Sequence, residues 1–281
     1  MIVSTIVILS SLGVLSAVIL YLVAQKFQVY EDPRIDEVNE QLPGANCGGC
    51  GFAGCRAFAE ALVKSDDISA LLCPVGGSNT MTQIAERLGK TATAKEPLTA
   101  VVRCSGSCEV RPGINSFDGP PSCAVMSVTY AGTTGCSFGC LGQGDCAVSC
   151  GFDAIHINPA TMLPEVDDEK CTACGACVKA CPKFIIELRK KGPKNRRIYV
   201  SCINQDKGGI ARKSCAAACI GCSKCLKACP FEAITINNNL AYIDNTKCRL
   251  CRKCTPECPT SAIRELNFPP KKTIDKEPVA G

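Results

Sequence analysis

Twenty-five of the 281 residues are cysteine, and all of them lie between Cys47 and Cys258. Their count is odd, and many are set in runs of the form C-x2-C-x2-C. Such a run places three sulfurs around one point, which suits a metal better than a disulfide framework. A disulfide scaffold is also the habit of short secreted chains. Zinc sites usually recruit histidine, and four-cysteine zinc sites come as two separated pairs. The single histidine, His156, argues against a zinc-rich protein and leaves general-base catalysis almost without candidates. It sits in Ala154-Ile155-His156-Ile157-Asn158, an alternating pattern that reads as an ordinary strand. The formal charge of +5 is mild, and no basic and aromatic interleaving points to nucleic acid. With nine phenylalanines, five tyrosines and no tryptophan, the chain is organised around something other than aromatic side chains.

The cysteines repeat. Cys150-Gly-Phe-Asp-Ala-Ile-His-Ile-Asn158 matches Cys229-Pro-Phe-Glu-Ala-Ile-Thr-Ile-Asn237 at an offset of 79 residues, which also carries Cys136, Cys140 and Cys146 onto Cys215, Cys219 and Cys225. Cys171, Cys174, Cys177 and Cys181 match Cys248, Cys251, Cys254 and Cys258 at an offset of 77. The two-residue difference falls in a hairpin, which in the second copy turns at Asn237-Asn238-Asn239. Each copy ends in C-x2-C-x2-C-x3-C-P, the run of bacterial ferredoxins, in which three cysteines hold one [4Fe–4S] cluster and the fourth ligates its neighbour. The second copy thus predicts Cys219, Cys222 and Cys225 with Cys258 for one cluster, and Cys248, Cys251 and Cys254 with Cys229 for the other. In the first copy Gln143 stands where Cys222 stands in the second. We expect Cys136 to replace the missing ligand, giving Cys136, Cys140, Cys146 and Cys181, with Cys171, Cys174, Cys177 and Cys150 for the neighbour. The alternative is a single cluster in the first copy, with Cys136 free.

Upstream, Cys47, Cys50, Cys55 and Cys73 have spacing x2, x4, x17 among five nearby glycines. They suit a further [4Fe–4S] cluster, because glycine lets the backbone fold closely around it and aim N–H groups at its sulfurs. A formal G-x-G-x-x-G at Gly49, Gly51 and Gly54 is no dinucleotide fingerprint, since no strand precedes it. Cys104, Cys108, Cys123, Cys202 and Cys215 remain. Four of them, Cys104, Cys123, Cys202 and Cys215, are expected to form a sixth cluster with Cys108 as the spare; the bland alternative is a set of ordinary thiols. Arg189 to Arg197 carries six positive charges and no acid. It reads as a solvated hairpin tip between strands Ile185–Leu188 and Arg197–Val200, or as a docking surface for an acidic electron carrier.

Positioning these sites requires the following α+β architecture. Residues 1–26 form a transmembrane anchor, because Ile2 to Ala24 is uncharged and long enough to span a bilayer. A signal peptide would carry a basic start and a shorter apolar run. Lys26 and Arg34 follow the helix, so the positive-inside rule puts the C-terminal bulk in the cytoplasm. Residues 27–90 form a small helical [4Fe–4S] domain, with a helix over Asn79–Leu88. Residues 91–135 are a linker and strand region with extra cysteines. Two tandem bacterial-ferredoxin-like modules built around iron–sulfur clusters occupy 136–200 and 201–266, and 267–281 is a disordered tail.

An anchor followed by CGGCGFAGC…CP, GCLGQGDC and two CP-terminated ferredoxin runs resembles the B subunits of Rnf complexes, over nearly the whole chain to about residue 266. The N-terminal motif alone also occurs in corrinoid iron–sulfur proteins and some sensors. The resemblance implies an electron-relay subunit of an ion-translocating ferredoxin:NAD oxidoreductase in a bacterial inner membrane. Its partners would be soluble ferredoxin and the membrane and flavoprotein subunits of the same complex, which would own the flavins, the nicotinamide site and the Na⁺ or H⁺ path. No independent substrate site is expected in this chain. The competing classes are an iron–sulfur subunit of another membrane oxidoreductase and an iron–sulfur redox sensor.

Overall fold

The computed structural model describes residues 2–26, 31–92, 96–129 and 132–270; residues 93–95 of the expected linker and most of the expected tail, 271–281, lie outside them. Helix α1, Ile2–Lys26, is uniformly apolar until its last turn, and its stretch Ile6–Lys26 is long and apolar enough to cross a membrane. Its large side chains, such as Leu9, Val14 and Leu20, are exposed rather than packed on the rest of the chain. A helix that is apolar all round and touches no protein core is suited to lipid.

Three helices follow: α2 (Arg34–Gln41), α3 (Cys55–Lys64) and α4 (Gly77–Leu88). Each buries one face: Ile35 and Val38 from α2, Phe58 and Leu62 from α3, Met81 and Ile84 from α4. These side chains share one core with Cys73, and Cys50 and Cys55 pack against it. Gly89 ends α4 in the left-handed conformation at φ 66°, where a residue without Cβ is unstrained.

Among the described residues the strands form four two-stranded antiparallel sheets. β2 (Ile155–Asn158) pairs with β3 (Leu163–Val166), and β6 (Ile234–Asn237) pairs with β7 (Leu240–Ile243). In the second hairpin Asn238 and Asn239 both take positive φ, at 47° and 60°, the tight two-residue turn that follows the strand twist. The first hairpin pairs Asn158 with Leu163 and so needs four loop residues, which accounts for the two-residue slip between copies. His156 lies on β2, exposed, opposite Glu165.

The other two sheets correct the expected hairpin. β4 (Ile186–Lys190) pairs with β1 (Leu98–Val102), and β5 (Arg197–Val200) pairs with β8 (Ile263–Leu266). Each repeat is therefore closed by a strand that precedes it, and β4 and β5 are not partners. The backbone between them passes Gly192, Lys194 and Asn195 at positive φ, which turns the chain out of the first sheet into the second.

Short helices fill the cysteine loops: α5 (Cys123–Thr129), α6 (Asp145–Val148), α7 (Ala176–Ala180), α8 (Gly208–Ser214) and α9 (Lys224–Lys227). The left-handed positions recur between copies: Ala173 with Leu250, Gly142 with Gly221, Gly144 with Ser223. Alternating right- and left-handed residues turn successive N–H groups inward. The first copy keeps this loop shape around Gln143, so only the sulfur is missing there. The cores of both modules combine aliphatic side chains with cysteine.

Candidate iron–sulfur sites

In the second module the sulfurs fall into two sets. Cys219, Cys222, Cys225 and Cys258 line one pocket, and Cys229, Cys248, Cys251 and Cys254 line another. The fourth cysteine of each set comes from the other run. In the first module Cys150, Cys171, Cys174 and Cys177 line the equivalent pocket. Backbone N–H groups point at these sulfurs. Ala241 donates to Cys219 at 3.5 Å, Ala262 to Cys258 at 3.2 Å, Ala154 to Cys150 at 3.4 Å and Ala100 to Cys171 at 3.5 Å. In the N-terminal domain Gly76 donates to Cys73 at 3.3 Å. There Asn46 Oδ1 accepts the N–H of Cys55 at 2.8 Å, tying the start of the glycine loop to the first turn of α3.

The remaining first-module set differs from expectation. Cys140, Cys146 and Cys181 are buried in one core, but Cys136 turns away from them. Cys136 lines a separate pocket with Cys104, Cys202 and Cys215. Cys123 instead comes near both Cys140 and Cys146, in a small core with Leu141, while Cys104 shares the buried core of Cys140, Cys146 and Cys181. In position, Cys123 and Cys136 thus stand in one another's expected places. The cause is Asp145, which opens the α6 helix carrying Cys146. Its carboxylate accepts the N–H groups of Cys123 at 2.8 Å and Ala124 at 3.0 Å, and the Ser122 hydroxyl at 3.0 Å. Burial opposes its charge, but these donors outweigh burial and hold Asp145 below the ordinary carboxylate range. The clamp fixes the start of α5 against α6. Cys108 stands outside all six sets, exposed, with its sulfur 3.8 Å from the Thr161 carbonyl.

The pocket of Cys104, Cys136, Cys202 and Cys215 lies between the modules and contains two residues that sequence reasoning did not flag. Asn204, 1% exposed, donates its backbone N–H to Cys202 at 3.4 Å and its side-chain Nδ2 to Cys136 at 3.5 Å. Arg111, 6% exposed, donates Nη1 to the Cys140 carbonyl at 2.6 Å, while its buried Nε has no hydrogen-bond partner. Neither residue belongs to a cysteine run, and Arg111 lies 25 positions before the nearest repeat cysteine it meets, so no spacing signal marks it.

The six sets form a series. A Cβ on Gly49, between Cys47 and Cys50, would fall 2.9 Å from the Cys174 carbonyl, so the N-terminal loop rests on the Cys171–Cys177 loop, and only glycine fits. Burial, helped by Cys123, Cys181 and, across to the next set, Cys177, pushes the Cys146 thiol up to about 12. Burial and then Cys104 push Cys140 up to about 12. Burial, with Cys219 and Cys104 adding, pushes Cys202 up to about 11. Burial and Cys248 push Cys254 up to about 12, with Cys225 of the adjoining set contributing. The packing agrees: Cys104 shares a buried core with Cys140, Cys146 and Cys181, against which Cys150, Cys171 and Cys177 pack, and Cys202 and Cys215 share one with Cys219, Cys225 and Cys254, so each set adjoins the next, from Cys47 to the Cys248 loop.

Buried thiols that oppose one another's ionisation call for a cation between them. Among the described residues no three His, Cys, Asp or Glu side chains close on a single-ion point; the sulfurs surround pockets instead. That donor set, wholly cysteine and dressed with N–H groups, fits a [4Fe–4S] cubane, whose thiolates bind at four separate irons.

Comparison with known proteins agrees. Residues 42–75 match the Fe-S cluster family FeS, residues 164–187 a 4Fe-4S binding domain, and residues 218–262 a 4Fe-4S dicluster domain. The chain is 47% identical over 257 residues to the B subunit of the Na⁺-translocating ferredoxin:NAD⁺ oxidoreductase complex of Acetobacterium woodii, covering 91% of this chain and 75% of that one. It is 38% identical to the B subunit of the proton-translocating ferredoxin:NAD⁺ oxidoreductase complex of Clostridium ljungdahlii, covering 92% and 91% of the two chains. It is also 38% identical to the B subunit of the ion-translocating oxidoreductase complex of Methanosarcina acetivorans, covering 93% and 97%.

Proposed function

This chain belongs to the family of B subunits of ion-translocating ferredoxin:NAD⁺ oxidoreductase complexes, and from that premise we propose that it is the electron relay of such a complex, taking electrons from reduced ferredoxin and delivering them to partner subunits. Its [4Fe–4S] clusters, when bound, supply one-electron carriers whose potentials the protein tunes. We assign six sets of ligands: Cys47, Cys50, Cys55 and Cys73; Cys150, Cys171, Cys174 and Cys177; Cys123, Cys140, Cys146 and Cys181; Cys104, Cys136, Cys202 and Cys215; Cys219, Cys222, Cys225 and Cys258; Cys229, Cys248, Cys251 and Cys254. The observation that carries the reading is the unbroken adjacency of these sets, which a sensor with one responsive site would not require.

The residues around the sulfurs do the rest. Backbone N–H groups and Asn204 stabilise thiolate charge, and Arg111 brings a buried cation to the set between the modules. Buried Ile155, Ile185, Ile198, Ile234 and Ile263 keep water out. Helix α1 anchors the chain in the membrane, with the modules on the cytoplasmic side. We place the exit to the membrane and flavoprotein subunits at the N-terminal set, the one nearest α1 in sequence. The coupling ion differs between the named relatives and is a property of the complex.

Cys50→Ser in the assembled complex tests the exit. Ferredoxin should still reduce the clusters of both modules, seen by electron paramagnetic resonance, while NADH formation stops. Normal NADH formation would refute that exit.

A further inference from the structure

A cleft of about 460 Å³ opens beside the Cys248 loop, walled by Glu96 and Pro97 ahead of β1, by the ends of β4 and β5 and by the link between them. Five cations line it, Arg189, Lys190, Arg196, Arg197 and Arg249, against one acid, Glu96. The Arg189 and Arg197 side chains are only 3% and 4% exposed. Behind the cleft Glu187 pairs with Arg189 and Asp168 with Arg197. Those two acids do not use up the guanidinium donors: Arg189 Nη2, Arg196 Nε, and Arg197 Nε and Nη1 are buried without a hydrogen-bond partner. Buried cationic donors are costly unless an anion meets them. Cys248 forms part of the cleft wall, and Cys251 of the same set is exposed. This set stands at the opposite end of the series from the N-terminal set.

We propose that this cleft is the docking socket for the acidic face of the soluble electron donor, so that electrons enter at the set of Cys229, Cys248, Cys251 and Cys254. The inference rests on the relay reading above and adds where the donor binds. The buried guanidinium groups hold a positive potential behind the cleft, and carboxylates of the donor meet the reachable rim cations, Arg249 and Lys190, the latter in exchange for its present partner Glu96. An entry at one end and an exit at the other use every intervening set.

The test uses the intact complex and reduced ferredoxin, with binding read by biolayer interferometry. Lys190→Glu with Arg249→Glu reverses rim charges while sparing the buried arginines, and iron content checks that the sites are retained. Lys213→Glu with Lys224→Glu, elsewhere on the surface, is the matched charge control. The expected result is Kd weakened at least about tenfold at low ionic strength for the rim variant, converging on the unaltered complex near 0.5 M salt, where the Debye length falls to a few ångströms. The control should stay within about twofold. A rim variant that binds as tightly as the control at low salt would overturn the socket. Failure of the unaltered complex to bind ferredoxin would instead overturn the relay reading itself, and the socket with it.

Discussion

Replacing Arg111 with methionine should lower the reduction potential of the site formed by Cys104, Cys136, Cys202 and Cys215. A Cβ on Gly139 would touch both Arg111 Nη1 and the Cys136 sulfur, and one on Gly106 would lie 3.5 Å from Arg111 Nε and 3.4 Å from the Cys215 sulfur. The guanidinium is therefore within about 7 Å of both sulfurs. At that distance a unit charge interacts by roughly 2 kcal/mol at an effective dielectric constant of ~20. For a one-electron couple this is on the order of 100 mV. Reduction adds negative charge, so the cation favours the reduced state, and its loss moves the potential down. Redox titration followed by electron paramagnetic resonance measures the shift. Arg111→Lys keeps the charge and should move the potential by less than half as much, separating charge from packing. A downward shift under about 20 mV in the methionine variant, or an upward one, would refute the reasoning.

Three further outcomes follow from the same geometry. Cys136→Ala should remove the signal of the site between the modules and leave the Cys140–Cys146–Cys181 signal intact, whereas Cys123→Ala should do the reverse; spectra of the two variants decide the exchange of roles. Asp145→Ala should release the start of α5, so that four of about 24 irons per chain are lost selectively under mild chelation, as iron analysis would show. Leu62→Ala, at a side chain with no exposure, should destabilise the N-terminal domain by about 2–5 kcal/mol, measured by denaturant unfolding of the reconstituted protein.

Much of this arrangement is legible in the sequence because ligand geometry is local. A C-x2-C-x2-C run places three sulfurs by backbone alone, and the ferredoxin pattern points to Cys258, Cys229 and Cys150 as the distant cysteines that join three of the runs. The long apolar N-terminal helix is equally plain, since Ile2 to Ala24 carries no charge to interrupt it. The exchange of Cys123 and Cys136 is not legible. Cys136 precedes Cys140 by four residues and looks like its partner, but the carboxylate of Asp145 draws Cys123 in from 22 residues upstream. The site between the modules takes its four sulfurs from segments spread over Cys104 to Cys215, with no shared run to advertise it. Strand pairing misleads for a related reason. β4 and β5 are close in sequence and look like a hairpin, but a short link at positive φ sends them to separate sheets. Arg189 to Arg197, which reads as a solvated tip or as a docking surface, leaves Lys194 exposed but puts Arg189 and Arg197 in the interior beside Cys248.

In the proposed relay electrons cross from one module to the other through the site of Cys104, Cys136, Cys202 and Cys215. Mixing the Cys215→Ala complex with reduced ferredoxin and freeze-quenching the reaction tests this crossing most directly. The second-module clusters should be reduced at the rate of the unaltered complex while the first-module and N-terminal clusters stay oxidised. Reduction of the N-terminal cluster at the unaltered rate would contradict it.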